Sequence, residues 1–362
     1  MSSYLPITAI DTELFPANYL SGRQRWLAEL GGEMPCFSYP CSGSSPEGEA
    51  LFTDTVWIGP EDATKVVVLI AGTHGVEGFA GSAIETDTLR LLAGGHLVIP
   101  ANTALLMVHA LTPWGYAWLR RCDADGVDLN RNVVDFFKPL PENSGYEALK
   151  SALLLTDTQQ RKRIFAEFEQ LHGREALEKA ISAGQYTDPV GPFYGGLAPA
   201  HGRLVIEDLL SKYSLQQRDL AVIDLHTGLG SFGYGEIICD HQPDSPATKV
   251  ARLWYGDSVT LPLLGTSSSV PKLGLLDYAW HAIMNERSCY ITLEFGTYRT
   301  DQLFEVLLRD HQLWAQSGND LARLEHSQLM RQHFCPNDKA WQEMVLFRAR
   351  QVISQALRGI ST

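Results

Sequence analysis

Residues Lys65–Ala71 read KVVVLIA, and Gly72-Thr73-His74-Gly75-Val76-Glu77-Gly78 follows directly. From Val66 the run is wholly apolar and rich in β-branched residues. This is the pattern of a strand buried on both faces. Such a strand belongs inside a mostly parallel sheet covered by helices on both sides. The glycine-rich turn leads into a stretch from about Phe79 to Leu92 that reads as a helix. A strand, a tight turn and a helix in that order place the chain in the α/β class.

Further strands are expected near Thr53–Ile58, at Ala104–Ala110 (ALLMVHA), Ala221–Leu225 (AVIDL) and Ser288–Glu294 (SCYITLE). The last three are each followed by a loop carrying polar residues. Open α/β sheets bind ligands beyond the carboxyl ends of their strands, so those loops mark the candidate site. Residues 1–60 read as a leading helical segment, then a loop rich in Gly, Ser and Pro from Cys41 to Gly48. Between Phe137 and Arg218 the pattern changes. Tyr146–Ala183 has helical spacing, Asp188-Pro189-Val190-Gly191-Pro192 breaks it, and Gly202–Tyr213 resumes as a helix. We read 1–362 as one α/β domain with a helical insertion at about 140–215.

The chain has 362 residues and a formal net charge of -13. That acidic balance argues against a nucleic-acid partner, because phosphate binding needs clustered Lys and Arg. No apolar run approaches the length of a membrane span. Met1-Ser2-Ser3-Tyr4-Leu5-Pro6 has no basic segment leading into an apolar one, so no signal peptide is read there. The six cysteines are scattered, without a Cys-x-x-Cys pair, and are expected as reduced thiols. A cytoplasmic location follows from these readings.

Four features carry chemistry. His74-x-x-Glu77 lies in the glycine-flanked loop, and imidazole nitrogen with carboxylate oxygen suits Zn²⁺. His226 ends the strand AVIDL. Two histidines and one carboxylate would make a three-ligand zinc site with one open position. Asp224 shares the face of His226. It either orients a ligand from behind or is a buried Asp satisfied by backbone. Glu294 ends an apolar strand, where a carboxylate needs a partner or a role. As a general base it would take a proton from water and pass it to a leaving amine. Finally, Leu119–Asn132 (LRRCDADGVDLNRN) sets Arg120, Arg121 and Arg131 around Asp128 and Asn130. Guanidinium groups grip carboxylates and stabilise oxyanions.

The order His74-x-x-Glu77, then Gly126-Val127-Asp128-Leu129-Asn130-Arg131-Asn132, His226 and Glu294 resembles the zinc carboxypeptidase superfamily. The resemblance spans roughly Val66 to Thr297, with a gap over the insertion. It implies a mixed eight-stranded sheet flanked by helices, with one zinc held by His74, Glu77 and His226. It further implies that Asn130 and Arg131 bind the free carboxylate of the substrate, that Arg121 rather than Arg120 polarises the scissile carbonyl, and that Glu294 is the catalytic base. The substrate would be a small peptide or an acyl-amino acid. The Asp-Leu-Asn-Arg run is equally similar to that of succinylglutamate desuccinylase and aspartoacylase, which cleave N-acyl amino acids. A catalytically silent member of the fold is a third reading.

The chain departs from the family at three places. Thr112-Pro113-Trp114-Gly115 lacks the expected Asn. The position expected to carry a mobile tyrosine falls near Ser269. The stretch from Asn132 to His226 is long for a plain carboxypeptidase. Leu276 falls near the position that sets side-chain preference, which implies an apolar pocket. His109 and His241 stand near strand ends as candidate pocket residues. No Gly-x-Ser-x-Gly elbow is present.

Overall fold

The computed structural model describes residues 10–32, 34–318 and 320–362. The opening residues read above for a signal peptide lie outside them. Eight strands form one sheet: β1 (Cys36–Ser44), β2 (Ala50–Ile58), β3 (Lys65–Ala71), β4 (Thr103–His109), β5 (Asp219–Gly228), β6 (Gly235–Ile238), β7 (Val259–Thr260) and β8 (Cys289–Gly296). Their spatial order is β1-β2-β4-β3-β5-β8-β6-β7. The four central strands, β4, β3, β5 and β8, run parallel. β2 and β6 flank them antiparallel. The expected mixed sheet is thus present.

The helices are α1 (Tyr19–Glu29), α2 (Gly78–Ala93), α3 (Pro113–Ala117), α4 (Ser144–Leu153), α5 (Thr158–His172), α6 (Arg174–Ser182), α7 (His201–Lys212), α8 (Pro246–Tyr255), α9 (Asp277–His281), α10 (Thr300–Trp314), α11 (Asp320–Phe334) and α12 (Lys339–Ser361). Among the described residues, no helix is long and apolar enough to cross a membrane. All six cysteines are free.

Strand periodicity explains the layers. Val67 and Leu69 of β3, with Ala221, Ile223 and Leu225 of β5, face a core built with α1, α2, α8 and α12. Val66, Val68 and Ile70, with Leu220 and Val222, face the opposite way onto α7 and α9. Successive side chains alternate across a sheet. Asp224 and His226 therefore continue the second face of β5, as Tyr290, Thr292 and Glu294 do on β8. That face is apolar at one end and polar at the other.

A third cluster joins α4 and α6 to α10 and α11 through Tyr146, Leu149, Ile181, Leu307 and Phe334. It sits over the polar end. Several elements run further than the sequence pattern indicates. Cys41–Ser44, read as loop, completes β1, because the edge of β2 offers partners from Cys36↔Val56 to Ser44↔Ala50. Pro40 is tolerated on that edge strand, where its missing N–H costs no interior ladder bond.

Ile223 lies fully buried in β5, between β3 and β8. Ile223→Ala is expected to lower unfolding stability by about 2–5 kcal/mol, measured by urea denaturation. A change under about 0.5 kcal/mol would contradict this placement in a close-packed core.

Candidate metal centre

The loop after β3 is shaped by its glycines. Gly72 has a positive φ of 69°, which turns the chain back over the sheet end. A Cβ on Gly75 would lie 2.2 Å from the carbonyl carbon of Gly115, so this position admits no side chain. The loop then clamps onto the next segment: Gly75 N–H donates to the Arg121 carbonyl at 3.0 Å and Val76 N–H to that of Arg120 at 2.8 Å.

This brings His74 and Glu77 to His226. His74 Nδ1 stands 2.8 Å from Glu77 Oε1, and His226 Nδ1 stands 3.1 Å from Glu77 Oε2. The two Nδ1 atoms are 3.1 Å apart. All three side chains are buried. Among the described residues they form the one group of three or more such side chains close enough to share a metal ion. In a tetrahedral site with bonds near 2.0–2.1 Å, ligand atoms lie roughly 3.3 Å apart, so the observed spacings fit a single small cation.

The residues behind the triad strengthen the fit. Asp224 accepts hydrogen bonds from Thr73 Oγ1 and Tyr290 Oη, each at 2.7 Å, and from His226 Nε2 at 2.7 Å. A carboxylate only accepts, so Nε2 of His226 carries the proton and Nδ1 turns its lone pair to the site. Burial works against charge here, yet Asp224 and then Glu77 push His226 well above its ordinary pKa. Likewise burial alone would raise Glu77, but His74 and His226 hold it well below the usual carboxylate range.

His74 has two partners at Nε2: Asp128 Oδ1 at 3.2 Å and Arg121 Nη2 at 2.6 Å. Arginine only donates and aspartate only accepts, so these contacts demand opposite tautomers. A cation on Nδ1 selects the Asp128 contact. Arg121 also reaches Asp128 Oδ2 at 3.0 Å and Glu77 Oε1 at 3.1 Å. Arg120 turns away from the cavity: it pairs with buried Asp310 at 2.8 Å and lies over Trp314 at 4.5 Å. Of the two arginines, Arg121 lines the cavity.

Glu294 stands directly across from His226 in the β5–β8 register. It accepts the Leu229 N–H at 2.9 Å. Burial, and then the charge of Glu77, push its carboxyl up to about 7. Asn130 lines the same cavity, and its Oδ1 accepts the Leu276 N–H at 2.7 Å. Arg131 is wholly buried. Its Nε and Nη2 donate to the Ser182 carbonyl at 3.1 and 2.8 Å, and its Nη1 donates to the Asn130 carbonyl. Among the described residues no ion pair to Arg131 is formed.

Some expectations are corrected. Leu276 is packed in the core beneath the site. Its neighbours Leu275 and Asp277 line the cavity instead, so the apolar pocket inferred from Leu276 is not found there. His109 faces away, with Nε2 2.7 Å from Ser82 Oγ and its ring stacked on Trp26. That Ser–His pair is buried and outside the cavity lining. His241 lies behind the wall, accepting the Tyr290 N–H at 3.0 Å. Asp240, Lys272 and Asp277 line the cavity and had been assigned no role. Asp277 and Asp240 are chain neighbours of Leu276 and His241, which the sequence marks as candidate pocket residues, while Lys272 gave no motif signal.

A family model described as "Protein of unknown function (DUF2817)" matches residues 15–348. The chain belongs to this family. No curated protein matches the sequence. Similar solved structures include carboxypeptidase A from Helicoverpa armigera, at 15% identity over 91% of this chain and 76% of that one, TM-score 0.48. A succinylglutamate desuccinylase from Chromobacterium violaceum is 16% identical over 87% and 74%, TM-score 0.37. A metallo-carboxypeptidase from Pseudomonas aeruginosa is 14% identical over 94% and 70%, TM-score 0.39. Such distant superpositions assign this member of the family no reaction, and the reading of its site rests on the geometry above.

Arg120→Met is expected to cost roughly 3–5 kcal/mol of stability, because it strands buried Asp310, while leaving metal stoichiometry unchanged. Denaturant melts with elemental analysis check both. A stable Arg120→Met protein that has lost its metal would place Arg120 in the site instead.

Proposed function

We propose that this chain is a zinc-dependent hydrolase that cleaves an amide next to a residue bearing a free carboxylate, in the manner of a carboxypeptidase. The observation that carries the reading is the convergence of His74, Glu77 and His226, with Glu294 in register beside them. Two nitrogens and one oxygen suit Zn²⁺ among the divalent metals. A zinc ion held there supplies Lewis acidity towards a carbonyl and towards water.

The chain's own residues do the rest. Glu294, at about 7, is poised both to take a proton from the attacking water and to return it to the leaving amine. Arg121, on the cavity wall beside the triad, offers its guanidinium to the oxyanion formed at the carbonyl. Arg131 is a buried cation without an ion pair among the described residues, and a substrate carboxylate would supply one. Asn130, fixed by Leu276 N–H, would hold the same group from the other side.

A second reading is an N-acyl amino acid amidohydrolase using the same groups. It is favoured by the cover over the site: Glu178, Ser182 and Phe193 of the insertion, with Phe304 and Leu307 of α10, line the cavity. Such a cover suits a short substrate. Hydrolysis of N-acetyl- or N-succinyl-amino acids but not dipeptides would select it.

The purified protein is expected to hold about one zinc per chain, lost in His74→Ala. Asp224→Asn should keep the fold and weaken zinc affinity roughly 10–100-fold, measured by chelator competition. Unchanged zinc content in His74→Ala would remove the basis of the proposal.

Glu294→Gln should retain zinc and stability but lose hydrolysis by at least about 100-fold. Full activity in that variant would eliminate Glu294 as the base.

A further inference from the structure

Beyond His74, Glu77 and His226, the cavity continues along the second face of β8 and β6. Glu294, Thr292 and Tyr290 alternate down that face of β8 and all line the cavity. Ile238 of β6 is the register partner of Thr292, and Asp240 follows it two residues on. Asp277, at the start of α9, lines the same end.

These two carboxyls are poorly served. Asp277 is 3% exposed and its Oδ1 has no hydrogen-bond partner. Its Oδ2 lies 3.5 Å from Nε2 of His281, a ring that burial keeps neutral. Asp240 is half-buried, and among the described residues it has no hydrogen bond or ion pair. Leaving such groups unpartnered in a cavity is costly. Ile238, Val270 and Leu275 line the wall, an apolar lining suited to the methylenes of an extended side chain.

We propose that this inner end is a cation subsite, where Asp240 and Asp277 receive the ammonium or guanidinium group of a basic substrate side chain. The proposal rests on the hydrolase reading for the rest of the substrate, whose carboxylate would lie on Arg131. A residue such as lysine or arginine presents both charges, with an aliphatic stem between them that matches the wall.

Lys272 also lines the cavity. Its amine donates to Ser269 Oγ at 2.6 Å and to the Val270 carbonyl at 2.8 Å. Burial, then Arg131, push it down to about 7. It sheds its proton at little cost near neutrality, leaving Asp240 to the incoming cation. Burial pushes Asp240 up to about 6, and raises Asp277 well above its usual value with Asp240 adding to it. An arriving cation reverses both penalties, whereas a neutral side chain of the same shape reverses neither. A site built to pair such groups discriminates strongly against the neutral analogue.

Calorimetric titration of the zinc-loaded protein with free amino acids tests this without requiring turnover. L-Arginine and L-lysine should bind roughly tenfold or more tighter than L-citrulline and L-norleucine. Asp240→Asn and Asp277→Asn should each erase that preference while leaving L-norleucine binding unchanged. Should Asp277→Asn fail to fold, Asp240→Asn, at the half-buried position, carries the test alone. Equal binding of basic and neutral ligands, or a preference that survives Asp240→Asn, overturns the subsite. Tighter binding of L-glutamate also overturns it and hands the inner end to Lys272. A basic preference in a protein that hydrolyses no amide would leave the subsite standing while the hydrolase reading fell.

Discussion

The structure turns on the mutual neutralisation of buried charge at the carboxyl end of the central sheet. His74, Glu77, Asp128, Asp224 and His226 are all less than one-tenth exposed. Isolated, each would cost several kcal/mol to bury as an ion. Together they form linked contacts running from Tyr290 through Asp224 and His226 to Glu77, then through His74 to Asp128 and Arg121. The helices and the glycine turn sit where they do because this patch tolerates little displacement. A side chain on Gly75 would push the loop off Gly115 and take His74 and Glu77 with it.

The chain of contacts also assigns work to residues that do not touch the centre. Asp224 sets the His226 tautomer through Nε2. Asp128 can do the same for His74, but there it competes with Arg121 for one nitrogen. From one position Arg121 touches His74, Asp128 and Glu77. A cation on His74 Nδ1 would leave the ring proton on Nε2, where it suits the Asp128 contact and not the Arg121 one.

Much of this was legible in the sequence because the informative residues follow apolar strands, where burial and polarity conflict. KVVVLIA, AVIDL and SCYITLE located three parallel strands, and His74, His226 and Glu294 were visible as polar residues at their ends. The pairing of His226 with Glu294 was not visible, since register belongs to the sheet and not to either strand. Leu276 was misjudged for a related reason: a spacing carried over from other chains does not fix which way a side chain turns at the start of α9. Its backbone serves Asn130 while its side chain goes to the core. Asp240 and Lys272 escaped notice because each meets the site through tertiary contact, with no local pattern to mark it.

The insertion is more than a cover. Arg131 owes its position to the Ser182 carbonyl, which receives two of its N–H groups, and to Gly184, where a Cβ would lie 2.7 Å from Arg131 Cδ. Tyr186 Oη donates to the Arg131 carbonyl at 2.6 Å. The side chain is thus held by neutral acceptors that orient its charge without cancelling it. A carboxylate in the place of Ser182 O would have filled the charge of Arg131 and left none for a ligand. Anchoring a buried guanidinium on carbonyls keeps it both ordered and electrostatically available. The helices between β4 and β5 therefore shape the cavity as directly as the strands that carry His226 and Glu294.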